Sequence, residues 1–110
     1  MMKSVVKNLS VALASHSIEL TVHTLDHDEA YLTVEKEGVA YSLVLSDDYA
    51  SLAETYFNND IGYDEKVLFE EEGFEVVGLA KKIADLLDAQ LDEISKEVEY
   101  MMSLEEENNF

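Results

Sequence analysis

Apolar and polar positions alternate most regularly across residues 30–45, Ala-Tyr-Leu-Thr-Val-Glu-Lys-Glu-Gly-Val-Ala-Tyr-Ser-Leu-Val-Leu. Alternation at period two marks a half-buried strand, and a glycine between two such runs marks a tight turn. A two-residue turn at Glu37-Gly38 sets Val34 opposite Tyr41, Leu32 opposite Leu43 and Ala30 opposite Leu45. The other face then carries Thr33 opposite Ser42 and Tyr31 opposite Val44. One face is apolar and the other mixed, the pattern of an antiparallel sheet covered on one side.

On the N-terminal side, Met2, Val5, Val6, Leu9 and Leu13 recur at three and four and predict a helix over Met2–Ala14. Residues 18–24 alternate, with Ile18, Leu20 and Val22 facing one way and Glu19, Thr21 and His23 the other. Asp26-His27-Asp28-Glu29 turns this strand into the next. The three strands form a predicted antiparallel meander, and the charges on the first discourage edge-to-edge pairing.

Beyond residue 45 the spacing turns helical. Ser46-Asp47-Asp48 offers capping side chains, and Tyr49, Leu52, Ala53, Tyr56 and Phe57 follow at helical intervals. Asn58-Asn59-Asp60-Ile61-Gly62 ends that segment. Residues 64–72 read as a short helix closed by a left-handed Gly73. A hairpin of 67–70 with 74–77 competes, because Glu70, Glu71 and Glu72 would sit at the unfavourable negative end of a helix. From residue 74 or 79 to 102 runs the longest helical pattern: Val76, Ala80, Ile83, Leu87, Leu91, Ile94, Val98 and Met101. About 25 residues make a helix ~37 Å long. That is longer than a small sheet is wide, so part of it meets solvent or a second copy of the chain in a homodimer. The expectation is one α+β domain over residues 1–104, a three-stranded antiparallel sheet with an N-terminal helix and C-terminal helices packed on one face. An acidic tail over 105–110 follows.

The chain has 110 residues, the size of one domain, and is 47% hydrophobic, enough for one core. No apolar run approaches the ~20 residues that cross a bilayer, and the start lacks the apolar stretch and cleavage site of a signal peptide. With no cysteine, disulfides and thiolate metal sites are excluded, and a cytoplasmic location fits. The balance of charge changes the picture most: 25 Asp and Glu against 7 cations, all lysine, leave a formal charge of −18. Such a surface repels nucleic acid and anionic membrane, and it suits association with a basic protein.

No catalytic, metal-ligating or cofactor-binding pattern stands out. His16, His23 and His27 lie near carboxylates, but on a strand and turn their spacing does not converge them as metal ligands. Windows 26–37 and 58–69 fail the calcium-loop pattern, which needs glycine at position six and glutamate at twelve. Without arginine, phosphoryl-transfer chemistry would rest on lysine alone. The acids themselves are the candidates. Asp85, Asp88, Asp92 and Glu99 step along one side of the long helix, about 5–6 Å apart where three or four residues separate them. Glu35 and Glu37 border the hairpin tip, and Glu70, Glu71, Glu72 and Glu75 form a third cluster. From residue 84 onward only Lys96 is positive, whereas ordinary wet faces mix signs.

The order of parts, the acid-glycine tip Glu37-Gly38 and the run Glu70-Glu71-Glu72-Gly73-Phe74 resemble the small acidic anti-CRISPR proteins of phages that inhibit type II-A Cas9. The resemblance covers residues 4–74. It implies a non-enzymatic protein whose acids imitate DNA and occupy a nucleic-acid-binding site in the host cytoplasm, and it puts Glu35, Glu37, Glu70, Glu71 and Glu72 in the contact set. The expected partner is then Cas9 or another basic nuclease, with no direct contact to nucleic acid. The alternatives are an immunity or antitoxin-type inhibitor of a toxin nuclease, and a small assembly protein that dimerises through the long helix.

Overall fold

Helix α1 spans Met2–Ala14, and its stripe of Met2, Val6, Leu9 and Leu13 is buried. The structure, a computed structural model, describes residues 2–108, the side chains at 57–58 and 104–108 excepted. The end of α1 is sharper than Ser15-His16-Ser17 suggests. Ser17 adopts a left-handed φ of 61°, its N–H donates to the Ala14 carbonyl at 3.0 Å, and the Ile18 N–H donates to the Leu13 carbonyl at 3.0 Å. This is the bonding of a Schellman motif, with serine where glycine is usual, and buried Ile18 beside buried Leu13 supplies its apolar contact.

Five strands follow: β1 (Glu19–Leu25), β2 (Glu29–Lys36), β3 (Val39–Ser46), β4 (Tyr49–Asn58) and β5 (Gly62–Glu72). They form one antiparallel sheet in the order β1-β2-β3-β4-β5. The β2–β3 register has Val34 opposite Tyr41, Leu32 opposite Leu43, Ala30 opposite Leu45, Thr33 opposite Ser42 and Tyr31 opposite Val44, as the alternation predicts. The turn works because Glu37 and Gly38 both take positive φ, 50° and 86°, the backbone of a tight hairpin turn.

The sheet has five strands, not three, and this corrects two predicted elements. Residues 49–57, expected as a helix, are strand β4. Ser46-Asp47-Asp48 holds a two-residue turn instead of a helix cap, and Ser and Asp serve either role through the same local hydrogen bonds. What decides between them is tertiary. As a strand, this segment sets Leu52 opposite Leu43 and Ala50 opposite Leu45 and buries both. Residues 64–72, expected as a short helix, lie in β5, which pairs with β4 and not with 74–77. The ladder shifts between Leu52 and Ala53, leaving Leu68 as the extra residue on β5. That bulge breaks the period-two alternation and hides the strand as the run Val67-Leu68-Phe69. Gly73 is left-handed, φ 66°, but it follows a strand, and its N–H donates to the Asp48 carbonyl.

Helix α2 runs Val76–Asn108. At 33 residues it is about 50 Å long, whereas five strands span about 19 Å. Both helices lie on one sheet face, and one core joins them to it: Leu9 and Leu13 from α1, Leu79, Ala80, Ile83, Ala84 and Leu87 from α2, and Ala30, Leu32, Val34, Tyr41, Leu43, Leu45, Ala50 and Leu52 from the sheet. Lys82 meets Glu71 of β5 at 2.8 Å, and Asp88 meets Lys36 at the end of β2 at 2.7 Å. The helix therefore runs toward the β2–β3 turn and passes beyond it. The same apolar face that buries Leu87 completely leaves Ile94 40%, Val98 49% and Met101 65% exposed. The expected acidic tail, 105–110, lies outside the described side chains. No described helix is long and apolar enough to cross a membrane.

Candidate functional site: the open face of the sheet

Side chains alternate across each strand, so the register assigns every strand residue to the helix-covered face or to the open one. Glu19, Glu35 and Ala40 share one row of the open face. Thr21, Thr33, Ser42, Ala53 and Val67 share the next. Tyr31, Val44, Ser51 and Glu70 form the third, and Glu29, Ser46, Tyr49 and Glu72 the fourth. Beyond the bulge, Glu65 lies opposite Thr55 on the same side. The centre of this face is small, hydroxylic and aromatic, and its borders are carboxylates.

The signs of charge are segregated. The open face carries Glu19, Glu29, Glu35, Glu65, Glu70 and Glu72, and among the described residues it carries no lysine. The two lysines of the sheet both point to the helix side. Lys36 pairs with Asp88 of α2, and Lys66 lines a recess with Leu86, Ala89 and Gln90 of α2. The other five belong to α1 and α2.

Tyrosine hydroxyls hold some of the sheet's acids. Tyr31 donates to Glu29 at 3.0 Å, and Tyr49 shares a side-chain hydrogen bond with Glu70. On the projecting end of the β4–β5 hairpin, Tyr56 donates to Asp64 at 3.0 Å. The carboxylate acceptors Glu29 and Asp64 raise the pKa of Tyr31 and Tyr56, and desolvation followed by Glu70 raises that of Tyr49. Each shift favours the neutral, donating phenol. His23 is bonded to Thr33 at 2.6 Å across the β1–β2 ladder, so it is part of this face and not grouped with His16 or His27.

Some of this order has a cost. Glu19 and Glu35 are directly opposite each other across β1 and β2, and like charges in that relation destabilise a sheet. Folding does not require the pair, since both side chains are exposed.

The acids singled out from the sequence fall into separate groups. Glu35, Glu70 and Glu72 are on the open face. Glu71, between the last two, alternates to the covered side and meets Lys82. Glu37 is in the β2–β3 turn, and Glu75 immediately precedes α2. Asp85, Asp88, Asp92 and Glu99 line one side of α2 within an arc of about 60°, at about 100° per residue. Within that row Asp88 meets Lys36 and Asp92 meets Lys96 at 3.3 Å. Glu29, Tyr31 and Tyr49 were not anticipated. Alternation alone places Glu29 and Tyr31 beside Glu35, but Tyr49 and Glu70 come together only once β4 and β5 are strands.

No protein family, curated protein or solved structure matches this chain.

Proposed function

We propose that this chain is a non-enzymatic acidic binding protein that sets the open face of its sheet into a basic, nucleic-acid-binding site of a partner protein. The observation that carries this reading is a face with six carboxylates and, among the described residues, no lysine. Sites that bind polynucleotides do so mainly through lysine and arginine, and such a site accepts a fixed array of carboxylates by the same attraction. Glu19 and Glu35 lie about 4.8 Å apart across neighbouring strands, and Glu70 and Glu72 about 7 Å apart along β5, so these two pairs offer charge at spacings of the order of those in a phosphate chain. Tyr31 adds an exposed ring on which a guanidinium can stack, and Tyr49 a half-buried one beside Glu70. The likeness to anti-CRISPR proteins makes Cas9 one partner to try. Restriction nucleases and toxin nucleases present the same chemistry.

The test is displacement of labelled DNA from purified Cas9, a restriction nuclease and a toxin nuclease, at low and at physiological salt. The protein is expected to displace DNA from one of them, more strongly at low salt. The variant Glu29→Gln/Glu70→Gln/Glu72→Gln should not. A matching Asp85→Asn/Asp92→Asn/Glu99→Asn variant reports whether the α2 row contributes. Failure to displace DNA from all three at low salt removes the proposal.

A second reading, an assembly subunit that associates with its own copies, is favoured by a different observation: the apolar stripe that α2 leaves exposed past Leu91.

A further inference from the structure

The stripe has an unmatched counterpart on the same molecule. Leu91, Ile94, Val98 and Met101 continue the buried face of α2 by steps of three and four, half-buried at Leu91 and exposed from Ile94 onward. Glu93 and Glu97 run along one margin of this stripe. At the other end of the helix layer, α1 does not fully cover β1. Val22 and Leu25, which face the helices, remain 44% and 40% exposed. An open groove of about 420 Å³ lies there, lined by Val6, Val11, Leu20, Val22 and Leu25 with Lys3 and Lys7. No acid lines this groove, and α1 contains neither Asp nor Glu.

We infer that the second half of α2 from one copy of the chain docks into the α1–β1 groove of another, in a head-to-tail contact. This deepens the assembly reading above and is independent of the open-face proposal. The two surfaces agree in chemistry, charge and spacing. The stripe from Leu91 to Met102 is about 16 Å long, and Lys3 to Val11 along the groove is about 12 Å. Lys3 and Lys7 are four residues apart on one helix, and so are Glu93 and Glu97 on the other. Each pair therefore presents its charges about 6 Å apart. Pairing the stripe with itself instead sets acid against acid. Between residues 88 and 102 the helix holds Asp88, Asp92, Glu93, Glu97 and Glu99 against Lys96 alone. Because the surfaces differ, the contact is heterologous and yields rings or open chains, not a two-fold pair.

Two variants, each checked for native circular dichroism, test it. Val98→Asp disables the stripe, and Lys3→Glu/Lys7→Glu disables the groove. Sedimentation should show the native chain self-associating as concentration rises. Val98→Asp should be monomeric, and Lys3→Glu/Lys7→Glu should associate at least tenfold more weakly. Mixed together, the two variants should form a one-to-one dimer that grows no further, since one intact groove meets one intact stripe. The charge swap Lys3→Glu/Lys7→Glu/Glu93→Lys/Glu97→Lys keeps the net charge and should restore association. Should the lysine variant prove unfolded, Ser10→Glu in the same groove replaces it. A monomeric native chain overturns both this inference and the assembly reading. Native-like association of the folded groove variant, or no dimer in the mixture, overturns the head-to-tail contact and leaves the assembly reading standing.

Discussion

The two faces of this sheet share every backbone hydrogen bond and almost nothing else. The covered face is aliphatic with a buried tyrosine, carries both sheet lysines at its margins, and is packed by Leu79, Ile83 and Leu87. The open face holds serines, threonines, tyrosines and six glutamates. Packing dictates the first, because each of its central positions must fill space beside two helices. Among the described residues no helix packs on the second, so folding asks only that it be wettable. A wettable face is satisfied equally well by mixed charges. Its single sign, and the tolerated opposition of Glu19 and Glu35, are therefore features that folding does not account for.

The sharpest test of this contrast compares neighbours in β3. Leu43→Ala on the covered face removes a fully buried side chain and should cost about 2–5 kcal/mol. Val44→Ala, one residue on and half-buried on the open face, should cost less than about 1 kcal/mol. Urea unfolding measures both, and equal losses would erase the distinction between the faces. Next in size is the turn. Glu37 sits in the left-handed region at φ 50°, where a residue with a Cβ is strained by about 1 kcal/mol. Glu37→Gly should raise the thermal midpoint by a few degrees.

A smaller gain, about 0.2–1 kcal/mol, is expected for Glu35→Gln, which ends the opposition to Glu19. A drop in stability there would show that the pair is not a strain on the sheet. The smallest effect is alkaline. Tyr31, Tyr49 and Tyr56 have pKa values raised in the fold above the ordinary ~10. A raised folded value means that the folded chain holds the phenol protons more tightly. Their contribution is thus fully present below pH ~10 and is lost as pH climbs through the raised values. Phenolate absorbance should titrate later in the native chain than in urea, and Glu29→Gln should bring Tyr31 back toward its ordinary value.

Much of the fold was legible where local and tertiary demands coincide. Met2–Ala14 shows one apolar stripe, and residues 30–45 fix both their faces and their register through period two. Legibility failed between 46 and 72. There Ser46-Asp47-Asp48 can cap a helix or make a turn, and the bulge at Leu68 disrupts the alternation that would announce a strand. The open face was legible in part. Glu35, Glu70 and Glu72 were picked out as acids, but their common plane, and the exclusion of Glu71 from it, depend on the β4–β5 pairing.

By itself the sequence determined the excess of negative charge, the two-residue hairpin turn and the apolar stripe of α2, since composition and short-range periodicity are properties of the chain alone. The tertiary structure decided that residues 49–72 extend the sheet and that its lysines turn toward the helices. It also decided where α2, already too long for the sheet by its sequence, loses its cover, between half-buried Leu91 and exposed Ile94. These outcomes depend on which surfaces meet across long stretches of chain, where burial against a partner segment outweighs local preference.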